Sequence, residues 1–264
     1  MKISFTKYHG AGNDFIIIDN RMKNIHLKEC EIMSLCHRRF GIGADGLILL
    51  ENDDILDFKM RYYNADGRES SMCGNGGRCI AAFAADNNII NNQTTFIAHE
   101  MQYSAKINKD GTVKLKMQDV LLKNINREGD IFILDTGSPH YVMFYDYGGK
   151  IDFFIKGKEI RNSKRFVKEG INVNFVAIKN DELYLTTYER GVENLTYSCG
   201  TGTVAATLSY ALLSDKEINS CIINTLGGSL KVYFKQSETK FSAIYLEAAT
   251  TKVFHGCVEI NALS

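Results

Sequence analysis

MCGNGGRCIAAFAAD (residues 72–86) and SCGTGTVAATLSYALL (residues 198–213) each set a cysteine directly before glycine and then run into alanine and other apolar residues. Small and apolar residues around most of the circumference predict, for each run, a helix held inside its domain with little water contact. The first N–H groups of a helix have no partner within it, and the aligned peptide dipoles leave positive partial charge there. Glycines at that end let a ligand approach the backbone closely. CGNG and CGTG therefore read as two anion sites, each with a thiol attached.

Working outward from the two cysteines, other features recur in the same order. Gly12 precedes Asn13 in GAGNDFIII, and Gly137 precedes Ser138 in DTGSPHYVMF, at an offset of 125 residues. LKECEIMSLCHRRF spaces Leu27, Cys30, Met33 and Leu35 like one face of a helix, stops at Gly41 and passes into the strand of GIGADGLILL. EIRNSKRFVKEGINVNFVAI does the same through Gly170, at an offset of 129, and Cys199 follows Cys73 by 126. Similar offsets in one order predict two copies of one fold, joined near residues 115–130. Short strand-like runs surround these anchors, among them LDFKMRYYN, TTFIAH, ELYLTTYE and LKVYFK. The expectation is an α+β chain, mostly strand, with one buried helix in each half.

Composition narrows the function. Lysine plus arginine equals aspartate plus glutamate at 31 each among 264 residues. No net charge draws the chain toward nucleic acid or an anionic membrane, and a small-molecule partner fits better. There is no apolar run long enough to span a bilayer and no signal-peptide pattern in MKISFTKYHG, so a cytoplasmic location is expected. Seven cysteines, an odd number without a CxxC pair, argue against a disulfide framework and against a zinc site, so no metal is expected. Nothing in the sequence decides against a homodimer.

A thiol with a pKa of about 8.5 costs roughly 2 kcal/mol to ionise at pH 7. A helix N-terminus returns about 0.3–1 kcal/mol, and up to about 2 when partly buried. A thiolate is thus accessible to at least one of the two cysteines. If the two halves face each other, one thiolate can take a proton from the carbon beside a bound carboxylate while the opposite thiol delivers one to the other face. That inverts the centre without a cofactor. The backbone donors would stabilise charge developing on the carboxylate.

FTKYHGAGNDF, NADGRESSMCGNGGRC, GSPH, GINVNF and TTYERGVENLTYSCGTGTVAA together resemble the successive signature blocks of the diaminopimelate epimerase family, from residue 5 to residue 206. The resemblance implies a cofactor-independent isomerase that interconverts LL- and meso-2,6-diaminopimelate, a precursor of lysine and peptidoglycan. It implies two pseudo-symmetric domains, each a central helix wrapped by mostly antiparallel strands: residues 1–118, joined by a C-terminal strand near 253–264, and residues 119–252. By the same resemblance Cys73 would accept the proton in the LL to meso direction and Cys199 would donate. Gly74, Asn75, Gly200 and Thr201 would bind the reacting carboxylate. His140, Glu189 and Asn13 would lie beside the reacting amino group, and Asn64, Asn172 and Arg190 would hold the distal end. A guanidinium suits a carboxylate there, and amides suit either group.

Two departures from the family pattern touch the binding residues. Ser138 stands where many members have asparagine, and Gly46 where some have glutamine. Three other readings compete. A proline or hydroxyproline racemase would share the facing cysteines but would not need Glu189 and Arg190 with Asn64 and Asn172. Gly41, Gly43 and Gly46 satisfy GxGxxG, yet they close a helix and enter a strand, the reverse of a dinucleotide site. A redox pair of Cys73 and Cys79 fails because residues six apart on a helix lie on roughly opposite sides.

Overall fold

A computed structural model describes residues 2–70 and 72–260. The chain divides into two compact units, Met1–Leu115 with Ala249–Ser264, and Lys116–Ala248. The far end of the expected C-terminal strand, residues 261–264, lies outside the described residues. The fold is strand-rich α+β, and the order of elements repeats.

In the first unit the elements are β1 (Lys2–Gly10), β2 (Asn13–Asp19), α1 (Glu29–Cys36), β3 (Gly46–Glu51), β4 (Phe58–Asn64), β5 (Glu69–Ser70), α2 (Gly74–Asp86), β6 (Gln93–Ala98), β7 (Met101–Ile107) and β8 (Thr112–Lys116). β1 and β2 are antiparallel, α1 connects β2 to a parallel β3, β4 is antiparallel to β3, and α2 connects β4 to a parallel β6. The second unit holds β9 (Val120–Leu121), β10 (Asn126–Glu128), β11 (Ile131–Asp135), β12 (Pro139–Tyr145), α3 (Phe153–Arg161), β13 (Asn172–Lys179), β14 (Glu182–Glu189), β15 (Asn194–Thr196), α4 (Gly200–Leu213), β16 (Ser220–Thr225), β17 (Gly228–Gln236) and β18 (Lys240–Glu259). Its pairings from β11 to β16 run in the same sense as those from β1 to β6. The first part of β18 pairs with β17, and the part beyond Ala249 pairs with β1.

In each unit the paired strands are covered by a helix on either face, which explains their continuous apolar runs. Ile16, Ile18, Leu47 and Leu49 pack with Ile32, Leu35 and Cys36 of α1. The alternate residues, Ile48 among them, face α2, where Ile48 and Met60 fill the space beside Gly76. In the second unit Val173 and Phe175 join the cluster that includes Phe153 and Ile160 of α3. Asn172 and Asn174, one position out of phase, point to the other face. Burying each large aliphatic or aromatic side chain contributes about 1.5–3 kcal/mol, so these two-sided cores hold α2 and α4 in place.

Both cysteine-led helices start where the glycine runs predict. Cys73 and Cys199 are the extended residues immediately before α2 and α4. The outer helices differ from expectation. α1 ends at Cys36 rather than continuing toward Gly41, because His37 turns and its Nδ1 accepts from the backbone N–H of Arg39 and of Phe40. Met33 and Cys30 are exposed, and Ile32, Leu35 and Cys36 form the buried face. α3 lies before the expected segment: Asp152 caps Ile155 at its start, and Asn162 closes it by bonding Lys158 O, so residues up to Gly170 are turns. No helix among the described residues is long and apolar enough to cross a membrane.

Candidate active site

At the mouth of α2, the sulfur of Cys73 donates to Asn13 Oδ1 at 3.5 Å. Asn75, buried in the first turn, donates from Nδ2 to the same oxygen at 3.2 Å. Asn13 occupies the first position of β2, and its Nδ2 donates to Asp45 Oδ2 at 2.7 Å, which determines which end of the amide faces the thiol. Arg38 grips Asp45 at 2.6 Å and holds Asp14 by two bonds of 2.8 and 3.0 Å. Lys7 pairs with Asp14 at 2.7 Å. Burial works to raise the Asp14 carboxyl, but the hydrogen bonds from Arg38 and Lys7 prevail and bring it down to about 2.

Behind the same mouth lies Arg78, fully buried. Its guanidinium donates to Asn75 Oδ1 at 2.8 Å and to Gly74 O at 3.4 Å, and no carboxylate among the described residues pairs with it. Burial pushes this guanidinium down, and a thiolate at Cys79 or Cys73 would act the other way. Gly10 leaves the room, since a Cβ there would lie 3.3 Å from the Arg78 Nη2. Burial raises the thiol of Cys79 far above the ordinary range, so it stays protonated. Asn64 ends β4, exposed, in register with Gly46. A side chain at Gly46 would meet Tyr63 O at 2.5 Å, so this backbone cannot accommodate the family's glutamine.

At the mouth of α4 the sulfur of Cys199 accepts from the backbone N–H of Gly202 at 3.4 Å and lies 3.6 Å from Thr201 Oγ1. Thr136 donates to Thr201 O at 2.9 Å, tying the helix mouth to the turn between β11 and β12. Gly137 in that turn has φ +104, a conformation that favours glycine. Gly200 opens the helix and is buried.

His140 on β12 is fully buried. Burial, with the charge of Arg190 acting in the same direction, pushes its imidazole down to about 3. Asn172 donates to Ser138 Oγ at 2.9 Å and accepts from the backbone N–H of Arg190 at 2.9 Å. Arg190 bonds Glu169 O at 3.0 Å and reaches Ser138 Oγ at 3.5 Å. Glu189 is the last residue of β14, directly before Arg190. Ser138, short as it is, thus connects the amide and the guanidinium expected at the distal end.

The structure therefore gathers the predicted residues into two groups. Asn13, Cys73, Gly74 and Asn75 converge in the first unit, and Asn64 lies at the end of β4, in register with Gly46. His140, Asn172, Glu189, Arg190, Cys199, Gly200 and Thr201 lie on neighbouring elements of the second. Sequence reasoning missed Asp45, Arg78, Asn174 and Thr187. Asn174 was readable, because it follows Asn172 by two on a strand and must share its face. A lone arginine in an otherwise apolar helix was the corresponding signal for Arg78.

The sequence profile described as Diaminopimelate epimerase matches residues 5–122 and 132–252. The chain is 46% identical over 250 residues to the diaminopimelate epimerase of Flavobacterium psychrophilum, covering 94% of this chain and 97% of that one. It is 39% identical to the diaminopimelate epimerase of Chlorobaculum tepidum, covering 95% and 99%. Among solved structures, a PhzF-family phenazine biosynthesis protein from Bacillus anthracis matches with a TM-score of 0.76 at 13% identity, covering 98% of this chain and 100% of that one. A probable proline racemase from Agrobacterium radiobacter matches with a TM-score of 0.69 at 13% identity, covering 98% and 93%. These two likenesses concern the fold alone.

Proposed function

The chain belongs to the diaminopimelate epimerase family, a family of isomerases, and from that premise we propose that it interconverts LL- and meso-2,6-diaminopimelate with Cys73 and Cys199 as its acid–base pair. The observation that carries the reading is the duplicated helix mouth: each repeat sets an extended cysteine directly before the first residue of a buried helix. One thiolate takes the α-hydrogen as a proton, and the electron pair left on carbon is delocalised into the carboxylate. The other sulfur returns its proton to the opposite face.

Gly74, Asn75, Gly200 and Thr201 supply N–H and side-chain donors to that carboxylate, where negative charge grows in the transition state. Asn13, His140 and Glu189 surround the reacting amino group. Asn64, Asn172 and Arg190 take the distal amino and carboxylate groups. The resting charge on Arg190 and the amides of Asn64 and Asn172 support a substrate with a charged far end, in preference to proline.

The test is stereochemical. LL-diaminopimelate incubated with the protein in deuterated water should yield the meso form with one solvent deuterium at the inverted centre. Cys73→Ala and Cys199→Ala should each lower the rate by about 1,000-fold or more, within the range for loss of a general acid or base. Exchange on proline and none on diaminopimelate would redirect the assignment. Full inversion by either single variant would remove the cysteine pair.

A further inference from the structure

Asn174 lies on β13 beneath His140, and its amide makes four hydrogen bonds that agree on one orientation. Nδ2 lies 3.0 Å from His140 Nδ1, 3.1 Å from Tyr141 O and 3.4 Å from Asn172 O. Oδ1 accepts from Thr187 Oγ1 at 2.9 Å. Turning the amide over would set its oxygen against two carbonyl oxygens, so the NH2 group must face the ring. An amide NH2 can only donate. His140 Nδ1 is therefore an acceptor, and in a neutral imidazole the proton then sits on Nε2. Nε2 is itself buried and has no hydrogen-bond partner among the described residues.

We propose that Asn174 is a positioning residue that holds His140 as a neutral imidazole protonated on Nε2, so that His140 serves the half-site as a hydrogen-bond donor and not as a proton acceptor. Protonating the ring would put a second N–H on Nδ1, directly against the amide N–H of Asn174, where both side chains are fully buried. Arg190, whose charge acts on the ring, opposes it further. The other titratable groups on the strands paired with β12 and on α4 are Asp135 on β11, Lys179 at the far end of β13 and Tyr210 on α4, with Cys199 directly before that helix; Lys156, Lys158, Glu159 and Arg161 lie on α3, which packs against Tyr145 toward the far end of β12. Asp135 and Lys179 are exposed. Asn174 thus decides what its neighbour can recognise. An Nε2–H needs an acceptor opposite it: a carboxylate oxygen, a thiolate sulfur, or the lone pair of an unprotonated amine. An ammonium group does not satisfy it.

Gly202 supports the same arrangement from α4. A Cβ there would lie 2.4 Å from Asn174 Oδ1, so the glycine of CGTG leaves the space in which the amide sits.

The inference rests on the proposed function only for what the donor meets, and its test reads the ring directly. Full-length protein carrying isotope-labelled histidine, with the His140 signal assigned by its loss in His140→Gln, should show a protonated Nε2 and a bare Nδ1 by ring-nitrogen NMR. The shifts should stay constant from about pH 5 to pH 8, where an ordinary histidine titrates. In Asn174→Asp the new carboxylate accepts from Nδ1–H, so the imidazolium should appear in that range and kcat should fall by about 100-fold or more. Thr187→Val removes the bond that orients the amide without adding charge, and both ring tautomers should become populated. A wild-type ring that titrates between these pH values, or that carries its proton on Nδ1, overturns the proposal. The wild-type spectrum alone decides this, so the test stands even where a variant does not fold. Absence of activity on diaminopimelate would remove the proposed substrate and leave the ring measurement standing.

Discussion

At the mouth of α2 the sulfur of Cys73 gives its hydrogen to Asn13, whereas at the mouth of α4 the sulfur of Cys199 receives a backbone N–H. The two cysteines hold the same place in two copies of one motif, and the surroundings have diverged. In the first unit Asn13 is oriented by charge: Asp45, Arg38, Asp14 and Lys7 form a linked ion network. A second, fully buried cation, Arg78, lies behind the helix mouth. In the second unit His140, Asn174 and Thr187 form a network of neutral hydrogen bonds. A repeated backbone therefore fixes where each sulfur stands, and the side chains packed around it fix whether a proton or an N–H is opposite.

Acid should separate the two units most strongly. His140, held at about 3 in the folded protein against an ordinary value near 6.5, takes up a proton only on unfolding. The unfolded state therefore binds more protons below about pH 6.5, and stability falls as the pH drops, by up to about 1.4 kcal/mol per unit and on the order of 3 kcal/mol by pH 4. Asp14, held at about 2, contributes stability that is lost only as the pH falls from about 3.8 toward 2. Hydrogen exchange followed against pH should show β12 and β13 losing protection at a higher pH than β1 and β2. Earlier opening of the first unit would end the contrast.

The glycines three places after each cysteine provide the next test. A Cβ at Gly202 meets Asn174 Oδ1 at 2.4 Å, while the nearest atoms to one at Gly76 are the side-chain ends of Ile48 and Met60 at 3.1 and 3.2 Å, with Cys73 Cβ in ordinary contact at 3.5 Å. Gly202→Ala should lower kcat by about 100-fold, because it displaces Asn174 and with it the neutral network around His140. Gly76→Ala should stay within a few-fold of wild type, since flexible side chains can give way. Equal losses in steady-state rates would show that the two mouths are packed alike.

The smallest effect concerns Asp45. Removing it in Asp45→Ala frees the Asn13 amide to turn while Arg38 keeps its hold on Asp14. The rate should fall by about tenfold, equivalent to one hydrogen bond to a charged group. The unfolding midpoint, measured alongside, should move little. An unchanged rate would mean that Asn13 is oriented from the Asn75 side alone.

The amino-acid sequence by itself determined the repeat, the two buried helices and the placement of a thiol at each helix start. Periodicity, glycine and small residues act over a few positions, so a local reading suffices for them. It misjudged α1 and α3, whose ends depend on single side chains, His37 and Asn162, bonding to backbone that only a folded turn brings near. Only the tertiary structure decided that Arg78 is buried, that Asp45 orients Asn13 and that Asn174 faces His140. Those are contacts between elements far apart in the chain, and a hydrogen bond exists only where distance and direction are both satisfied. A pattern along the sequence can mark such a residue, as the lone arginine of α2 and the Asn172–Asn174 spacing do, but it does not name the partner.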